Sequence, residues 1–154
     1  MSLVLVIGFG NRLRQDDAFG PTVADWLEER MTDPQLEVLE RSTLTPELAQ
    51  TLSETRHVIF VDASAELAPG TVERRVISCD GSADVSLVHF LSPEALLVWT
   101  ERVYGKVPSA EIWLMGVAET GLSETMTPIV QRQVPAFVEL IEQHVRDLLA
   151  LFQA

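Results

Sequence analysis

Three side chains of types that bind transition metals follow strand-like segments of this chain. Asp17 comes after the apolar run 3–8 and a glycine turn, Asp62 ends the apolar segment 57–62, and His89 lies in the loop 79–91. Imidazole favours zinc, nickel, iron or copper over magnesium and calcium, and a three-ligand set leaves open positions for water or substrate. The residue types therefore indicate a divalent transition-metal site.

Each of these residues also has a structural interpretation. Asp17 could interact with the dipole at the N-terminus of the next helix, and Asp62 could cap a turn through an Asx hydrogen bond. His89 could be a half-buried surface histidine. Spacing alone leaves both interpretations open.

Other polar residues are weaker candidates. Asp16 could be a second ligand or a helix cap, and the cap is favoured. His57 begins a strand, at the opposite end of the sheet, and His144 lies near the apolar stripe of the C-terminal helix, where a structural role is expected. Cys79 has no histidine partner in the pattern, so a thiol nucleophile is not expected.

The turn Gly8-Phe9-Gly10 resembles the opening of a dinucleotide-binding fingerprint. The third glycine of that fingerprint is replaced by Leu13, although Glu40 could serve as the acid that binds ribose. Asp16 and Asp17 would repel a pyrophosphate at the helix entrance. The glycines are better explained by a tight turn that a substrate chain can approach closely.

Apolar runs alternate with helical patterns along the whole chain, which predicts a single α/β domain over residues 1–154. We expect a three-layer αβα sandwich with a mostly parallel five-stranded sheet. Functional residues of such sheets lie beyond the carboxyl ends of the strands. The predicted strands are residues 3–8, 36–40, 57–62, 71–77 (an edge or antiparallel strand) and 111–117.

Helix patterns and start signals fill the intervals between these strands. One helix is predicted over residues 18–31, and the C-terminal helix extends to about residue 152, with Pro135 kinking or splitting it. Thr45, Ser92 and Thr127 each precede a proline and are expected to cap a helix. The apolar stripes comprise Val23, Trp26, Leu27 and Met31 in the first helix, and Val138, Ile141, Val145, Leu148 and Phe152 in the last.

Composition narrows the functional classes. The chain has 154 residues, 47% of them hydrophobic, and a formal net charge of −12, which disfavours nucleic acid and anionic membranes as partners. We expect neither a signal peptide nor a membrane span. The single cysteine fits a reducing cytosol, so a cytoplasmic location is expected.

Three segments together resemble the NiFe-hydrogenase maturation endopeptidases. Residues 7–21 (IGFGNRLRQDDAFGP) resemble the motif G-x-G-N-x-L-x-x-D-(D/E)-x-x-G that follows the first strand of that family. Residues 58–63 resemble its apolar strand ending in Asp-Ala, and His89 with residues 91–97 resembles its histidine loop and following helix. The likeness covers nearly the whole chain, in order.

The resemblance implies that Asp17, Asp62 and His89 are the metal ligands and carry catalysis. It further implies an endopeptidase, of the aspartic type, that removes a C-terminal extension from the hydrogenase large-subunit precursor once nickel is inserted, which also activates that enzyme. The precursor would supply the nickel, and zinc or cadmium could occupy the site in vitro. The expected substrate cleft comprises Gly8, Gly10, Asn11, Asp16 and Thr43, where Arg41-Ser42-Thr43 replaces a family Gly-Gly-Thr.

Two points of mechanism and two rival functions stay open at this stage. Either Asp17 or Asp62 could be the general base, and the metal could polarise the peptide carbonyl or only anchor the substrate. A non-catalytic, metal-dependent module that binds a metalloprotein is the main alternative. A peptidyl-tRNA hydrolase also begins with a Gly-x-Gly-Asn turn, but the net charge of −12 opposes tRNA binding and Arg12 replaces that family's proline.

Overall fold

The computed structural model describes residues 2–79 and 91–154 and contains one five-stranded sheet of order β2-β1-β3-β5-β4. Neighbouring strands are parallel except that β4 runs antiparallel to β5. The predicted sandwich and the antiparallel edge strand are therefore confirmed. The strands are β1 (Val4–Phe9), β2 (Leu36–Arg41), β3 (His57–Ser64), β4 (Val72–Ile77) and β5 (Ser109–Gly116).

Helices cover both faces of the sheet. α1 and α5 pack on one face, and α2 and α3 pack on the other. The split expected near Pro135 is confirmed, because α4 ends at Gln131 and α5 begins at Val134. The helices are α1 (Phe19–Arg30), α2 (Leu48–Ser53), α3 (Pro93–Tyr104), α4 (Pro128–Gln131) and α5 (Val134–Gln153), with a 3-10 turn over Gln15–Ala18 before α1.

The central strands are apolar on both faces because helices cover both faces. Val4 to Ile7 in β1 and Val58 to Val61 in β3 are all completely buried. The edge strand β4 is exposed along most of its length. The stripe predicted for α5 faces the core, but Trp26 of the α1 stripe is 37% exposed and was wrongly placed there.

The helix-start signals were only partly correct. Ser92 caps α3, since its hydroxyl accepts a hydrogen bond from the Ala95 N–H at 3.1 Å. Thr127 occupies the cap position of α4, but its hydroxyl donates to Asp16 instead. Thr45 is not a cap, because α2 begins three residues later, after Glu47.

Gly8 and Gly20 set the distance between β1 and the start of α1. A Cβ atom on Gly8 would lie 2.1 Å from the Gly20 carbonyl oxygen, and one on Gly20 would lie 2.5 Å from the Phe9 carbonyl oxygen. Only glycine allows the backbones to approach so closely. The two glycines therefore fix where the residues that precede α1 meet the sheet edge.

None of the helices in the described part of the chain has both the length and the apolar character needed to cross a membrane.

Candidate active site

A pocket of about 220 Å³ opens at the carboxyl ends of β1 and β3. This is the edge where the topology of a parallel sheet places functional residues. Asp17 and Asp62 both line the pocket, so two of the three predicted metal ligands lie together. The other lining residues are Phe9, Gly10, Ser42, Thr43, Leu44 and Leu91.

Asp17 is held in place by the glycine turn before it. The Asn11 backbone N–H donates a hydrogen bond of 2.7 Å to Asp17 Oδ2. Gly10 adopts φ +150°, and a Cβ atom there would lie 2.0 Å from the Asp17 carbonyl oxygen. Gly10 is thus required for the turn that presents the Asp17 carboxylate, and the Asn11 backbone N–H holds that carboxylate.

Asp62 is a half-buried residue near the end of β3, and its Oδ1 accepts a hydrogen bond of 2.8 Å from the Ala63 N–H. Burial and the negative charge of Asp17 raise the pKa of Asp62 and the Ala63 hydrogen bond lowers it, and together they bring it to about 7. Because a divalent cation would relieve the repulsion between the two carboxylates, the donor set fits a metal. His89, the third predicted ligand, lies outside the described residues.

The prediction that Asp16 caps a helix is wrong. Asp16 does not cap the helix after it; it is completely buried and holds the loop that follows β5. It accepts hydrogen bonds from the backbone N–H groups of Ala118, Glu119 and Thr127 at 2.7–3.1 Å and from the Thr127 hydroxyl. Burial alone would raise the pKa of Asp16, but the bonds from Thr127, Ala118 and Glu119 together lower it.

The remaining residues expected at the substrate cleft separate into two groups. Gly10 and Thr43 line the pocket. The other three do not line the pocket but support residues around it. Gly8 packs against Gly20 of α1, Asn11 supplies the N–H that holds Asp17, and Asp16 is fully buried.

Glu40, the possible ribose-binding acid, pairs with Arg12 at 3.3 Å. Arg12 also pairs with Asp25 at 2.8 Å, and both acids are partly exposed. This ion-pair group accounts for Glu40 without a nucleotide.

A second polar cluster lies at the opposite end of the sheet and was not predicted from the sequence. Glu111 Oε2 lies 2.6 Å from His57 Nε2 and 2.9 Å from His144 Nε2. Glu111 Oε1 accepts hydrogen bonds from Trp113 Nε1 at 2.6 Å and from Arg74 Nε at 2.8 Å. Burial would raise the pKa of Glu111, but the bonds from His57, His144 and Trp113 lower it to about 2.

One sequence signal could have revealed this cluster. Glu111 is an acid within the apolar segment that was predicted as buried strand β5, and a buried carboxylate requires hydrogen-bond donors. Two of the three histidines, His57 and His144, supply them. The placement of His57 at the amino end of the sheet is confirmed.

Known proteins are similar to this chain along almost its whole length. No family model matches this chain. The hydrogenase 2 maturation protease of Escherichia coli K12 is 29% identical over 153 residues, covering 94% of this chain and 91% of that protein. The solved structure of the hydrogenase maturating endopeptidase HybD from E. coli superposes with a TM-score of 0.76 at 25% identity, covering 96% of this chain and 93% of that chain.

The resemblance to the NiFe-hydrogenase maturation endopeptidases is confirmed. A hydrogenase 2 maturation peptidase from a Thaumarchaeota archaeon has 28% identity and a TM-score of 0.68, over 92% of this chain and 97% of that one. The maturation protease HycI from Thermococcus kodakarensis, at 21% identity and a TM-score of 0.73, shares the fold over 92% and 91% of the chains. Each of these relatives covers more than nine-tenths of this chain.

Proposed function

We propose that this chain is an endopeptidase that removes the C-terminal extension of a nickel–iron hydrogenase large-subunit precursor after nickel insertion. Asp17, Asp62 and His89 recognise the nickel that the precursor carries. The observation behind this proposal is that Asp17 and Asp62 line one pocket at the carboxyl edge of the sheet. The similarity to named maturation proteases supports proteolysis over a module that only binds.

In the described part of the chain, one oxygen of each pocket carboxylate accepts a hydrogen bond and the other accepts none. Asp17 Oδ2 accepts from the Asn11 N–H, and Asp62 Oδ1 accepts from the Ala63 N–H. Within residues 2–79 and 91–154, no hydrogen bond is made to Asp17 Oδ1 or Asp62 Oδ2. The held oxygen orients the group, so the other one can face a cation brought in by the substrate.

Nickel is part of the substrate in this proposal. Carboxylate and imidazole ligands complete the coordination of an ion that the precursor already holds, and this anchors the adjacent peptide in the pocket. A precursor without nickel makes fewer contacts and its peptide is positioned less well. Recognition of the metal thereby delays cleavage until insertion is complete.

The carboxylates also suit the chemistry of peptide hydrolysis. A water molecule attacks the scissile carbonyl, a carboxylate accepts the proton of that water, and the same proton is delivered to the departing amine. Either Asp17 or Asp62 can take this role, since both line the pocket. Gly10 and Thr43, at the pocket wall, leave space for an extended chain to pass beside them.

The proposal is tested by mixing the purified protein with nickel-loaded and nickel-free precursor and following the C-terminal cleavage by mass. We expect cleavage of the loaded precursor only, and loss of cleavage in Asp17→Asn and Asp62→Asn. Asp147→Asn, an exposed acid on α5, is the matched control and should cleave normally.

The possible outcomes separate the rival functions. Equal cleavage of both precursors would remove the nickel requirement. Binding of the loaded precursor with no cleavage by the unmodified protein would favour the non-catalytic binding module. Tight binding of tRNA at low salt would favour the hydrolase alternative.

A further inference from the structure

We propose that His57, Glu111 and His144 form a second metal site, which binds a divalent ion of the zinc, nickel or copper class. This site is separate from the pocket that contains Asp62. His57 and Asp62 lie five residues apart on β3, or about 17 Å at the usual rise of a strand. The two sites therefore lie at opposite ends of the sheet.

The three ligand atoms converge from three elements. His57 Nε2 comes from the start of β3, Glu111 Oε2 from β5 and His144 Nε2 from α5, and all three lie within 4.8 Å of one another. Two imidazoles and one carboxylate are a ligand set typical of zinc and related ions, with a fourth position left for water.

The distances require only a small adjustment for an ion. Ligand bonds of about 2.1 Å in a tetrahedral arrangement place ligand atoms roughly 3.4 Å apart. The present separations from Glu111 Oε2 are 2.6 Å to His57 and 2.9 Å to His144. Without metal, both Nε2 atoms hydrogen-bond to Glu111 Oε2 across the position that the ion would take.

Neighbouring groups already orient the ligands as they do in metal sites. His57 Nδ1 lies 2.6 Å from the Ser109 hydroxyl oxygen, which leaves Nε2 directed at Glu111. Trp113 Nε1 donates to Glu111 Oε1 and turns Oε2 towards the histidines. Such outer contacts fix ring orientation and carboxylate direction around a bound ion.

Arg74 marks the side from which an ion can enter. The side chain of Arg74 is 48% exposed and that of His144 is 20% exposed, whereas Glu111 is nearly inaccessible at 2%. Arg74 Nη2 lies 3.4 Å from His144 Nε2, so its charge opposes a cation at this point. Because Arg74 is half exposed, its guanidinium can turn towards solvent when the ion binds.

The test removes the ligands of the first site before metal is added. In a background of Asp17→Asn, Asp62→Asn and His89→Gln, zinc is titrated by calorimetry and by its effect on the thermal midpoint. We expect one zinc ion to bind and the midpoint to rise. Adding His144→Gln should weaken binding at least 10-fold, and adding Arg74→Gln should strengthen it.

Two controls keep the result interpretable. Asp147 is an exposed residue on α5, the helix that also carries His144, and Asp147→Asn should leave the zinc affinity unchanged. Circular dichroism without metal shows whether the His144→Gln variant is folded. His144 is chosen because its side chain is partly exposed, so its substitution should disturb folding less than that of Glu111. Absence of zinc binding in the background variant, or equal affinity with and without His144, would overturn the proposal.

Discussion

Asp62 and Glu111 are carboxylic acids in adjacent strands of one sheet, and their pKa values move in opposite directions. Asp62 on β3 has one N–H donor and the negative charge of Asp17 nearby, and its pKa rises to about 7. Glu111 on β5 has donors from His57, His144, Trp113 and Arg74, and its pKa falls to about 2.

The difference between the two regions comes from their partners, since burial acts in the same direction on both. At the amino end of the sheet the protein satisfies a buried carboxylate almost completely. At the carboxyl end, residues 2–79 and 91–154 make no hydrogen bond to Asp17 Oδ1 or Asp62 Oδ2, which costs stability and suits a site that a substrate completes. The two regions should therefore respond in opposite ways to the same kind of substitution.

The largest change in stability is expected from Glu111→Gln. The amide removes the charge and places an NH₂ group among donors, so the free energy of unfolding should fall by about 3–5 kcal/mol. Urea unfolding with a chelator present measures this without bound metal. The Glu111 contribution is complete above pH 4.5 and lost as the pH falls towards 2, so the penalty should shrink in acid. A loss below 1 kcal/mol at pH 7 would show that the hydrogen bonds to Glu111 contribute little to stability.

Asp62→Asn should change the free energy of unfolding in the opposite direction. The folded pKa of Asp62 is raised, so its ionisation opposes folding increasingly as the pH rises from 3.8 through 7. At pH 8 the substitution should increase the free energy of unfolding by up to about 4 kcal/mol, at 1.36 kcal/mol for each pKa unit. At pH 4 the gain should disappear. Unfolding curves at both pH values test this, and a destabilised variant at pH 8 would remove the contrast with Glu111.

A smaller loss is expected for Asp16→Asn, next to the pocket. The carboxylate accepts from three backbone N–H groups and the Thr127 hydroxyl, and an amide cannot accept all of them. We expect a loss of about 2 kcal/mol and faster hydrogen exchange at Ala118, Glu119 and Thr127. Unchanged exchange at these amides would show that Asp16 does not hold the loop. The role of Asp16 in positioning the loop after β5 would then be wrong.

The smallest effect is expected from Arg12→Gln, which removes the ion pairs to Asp25 and Glu40. The side chains of these three residues are 39–49% exposed, so the free energy of unfolding should change by less than about 1 kcal/mol. The change should decrease further in 1 M salt. A large, salt-independent loss would mean that Arg12 supports the pocket more directly than its geometry indicates.

The sequence predicted the fold well because the strands alternate with helices and the central strands are unbroken apolar runs. Functional residues were expected beyond the carboxyl ends of the strands, and the pairing of β3 with β1 brings Asp62 to the edge where the glycine turn presents Asp17. Thr43 and Gly10 were expected at the cleft and line the pocket.

The errors have a common physical cause. Asp16, Thr127 and Glu111 are polar residues whose partners lie far away in sequence, and local patterns do not show such partners. Asp16 and Thr127 each matched a local capping signal, yet they bond to each other across 111 residues. Glu111 was hidden within an apolar strand, and His57 and His144 were assessed one at a time.

We propose that catalysis depends on the Asp17–Asp62 pocket and that Glu111, at the other end of the sheet, takes no part in it. Single-turnover cleavage of nickel-loaded precursor, followed by mass, tests it with Asp62→Asn and Glu111→Gln at equal concentrations of folded protein. We predict that Asp62→Asn reduces the cleavage rate by about 10² or more and that Glu111→Gln cleaves at close to the unmodified rate. Cleavage at the unmodified rate by Asp62→Asn, or an equal loss in folded Glu111→Gln, would contradict the account.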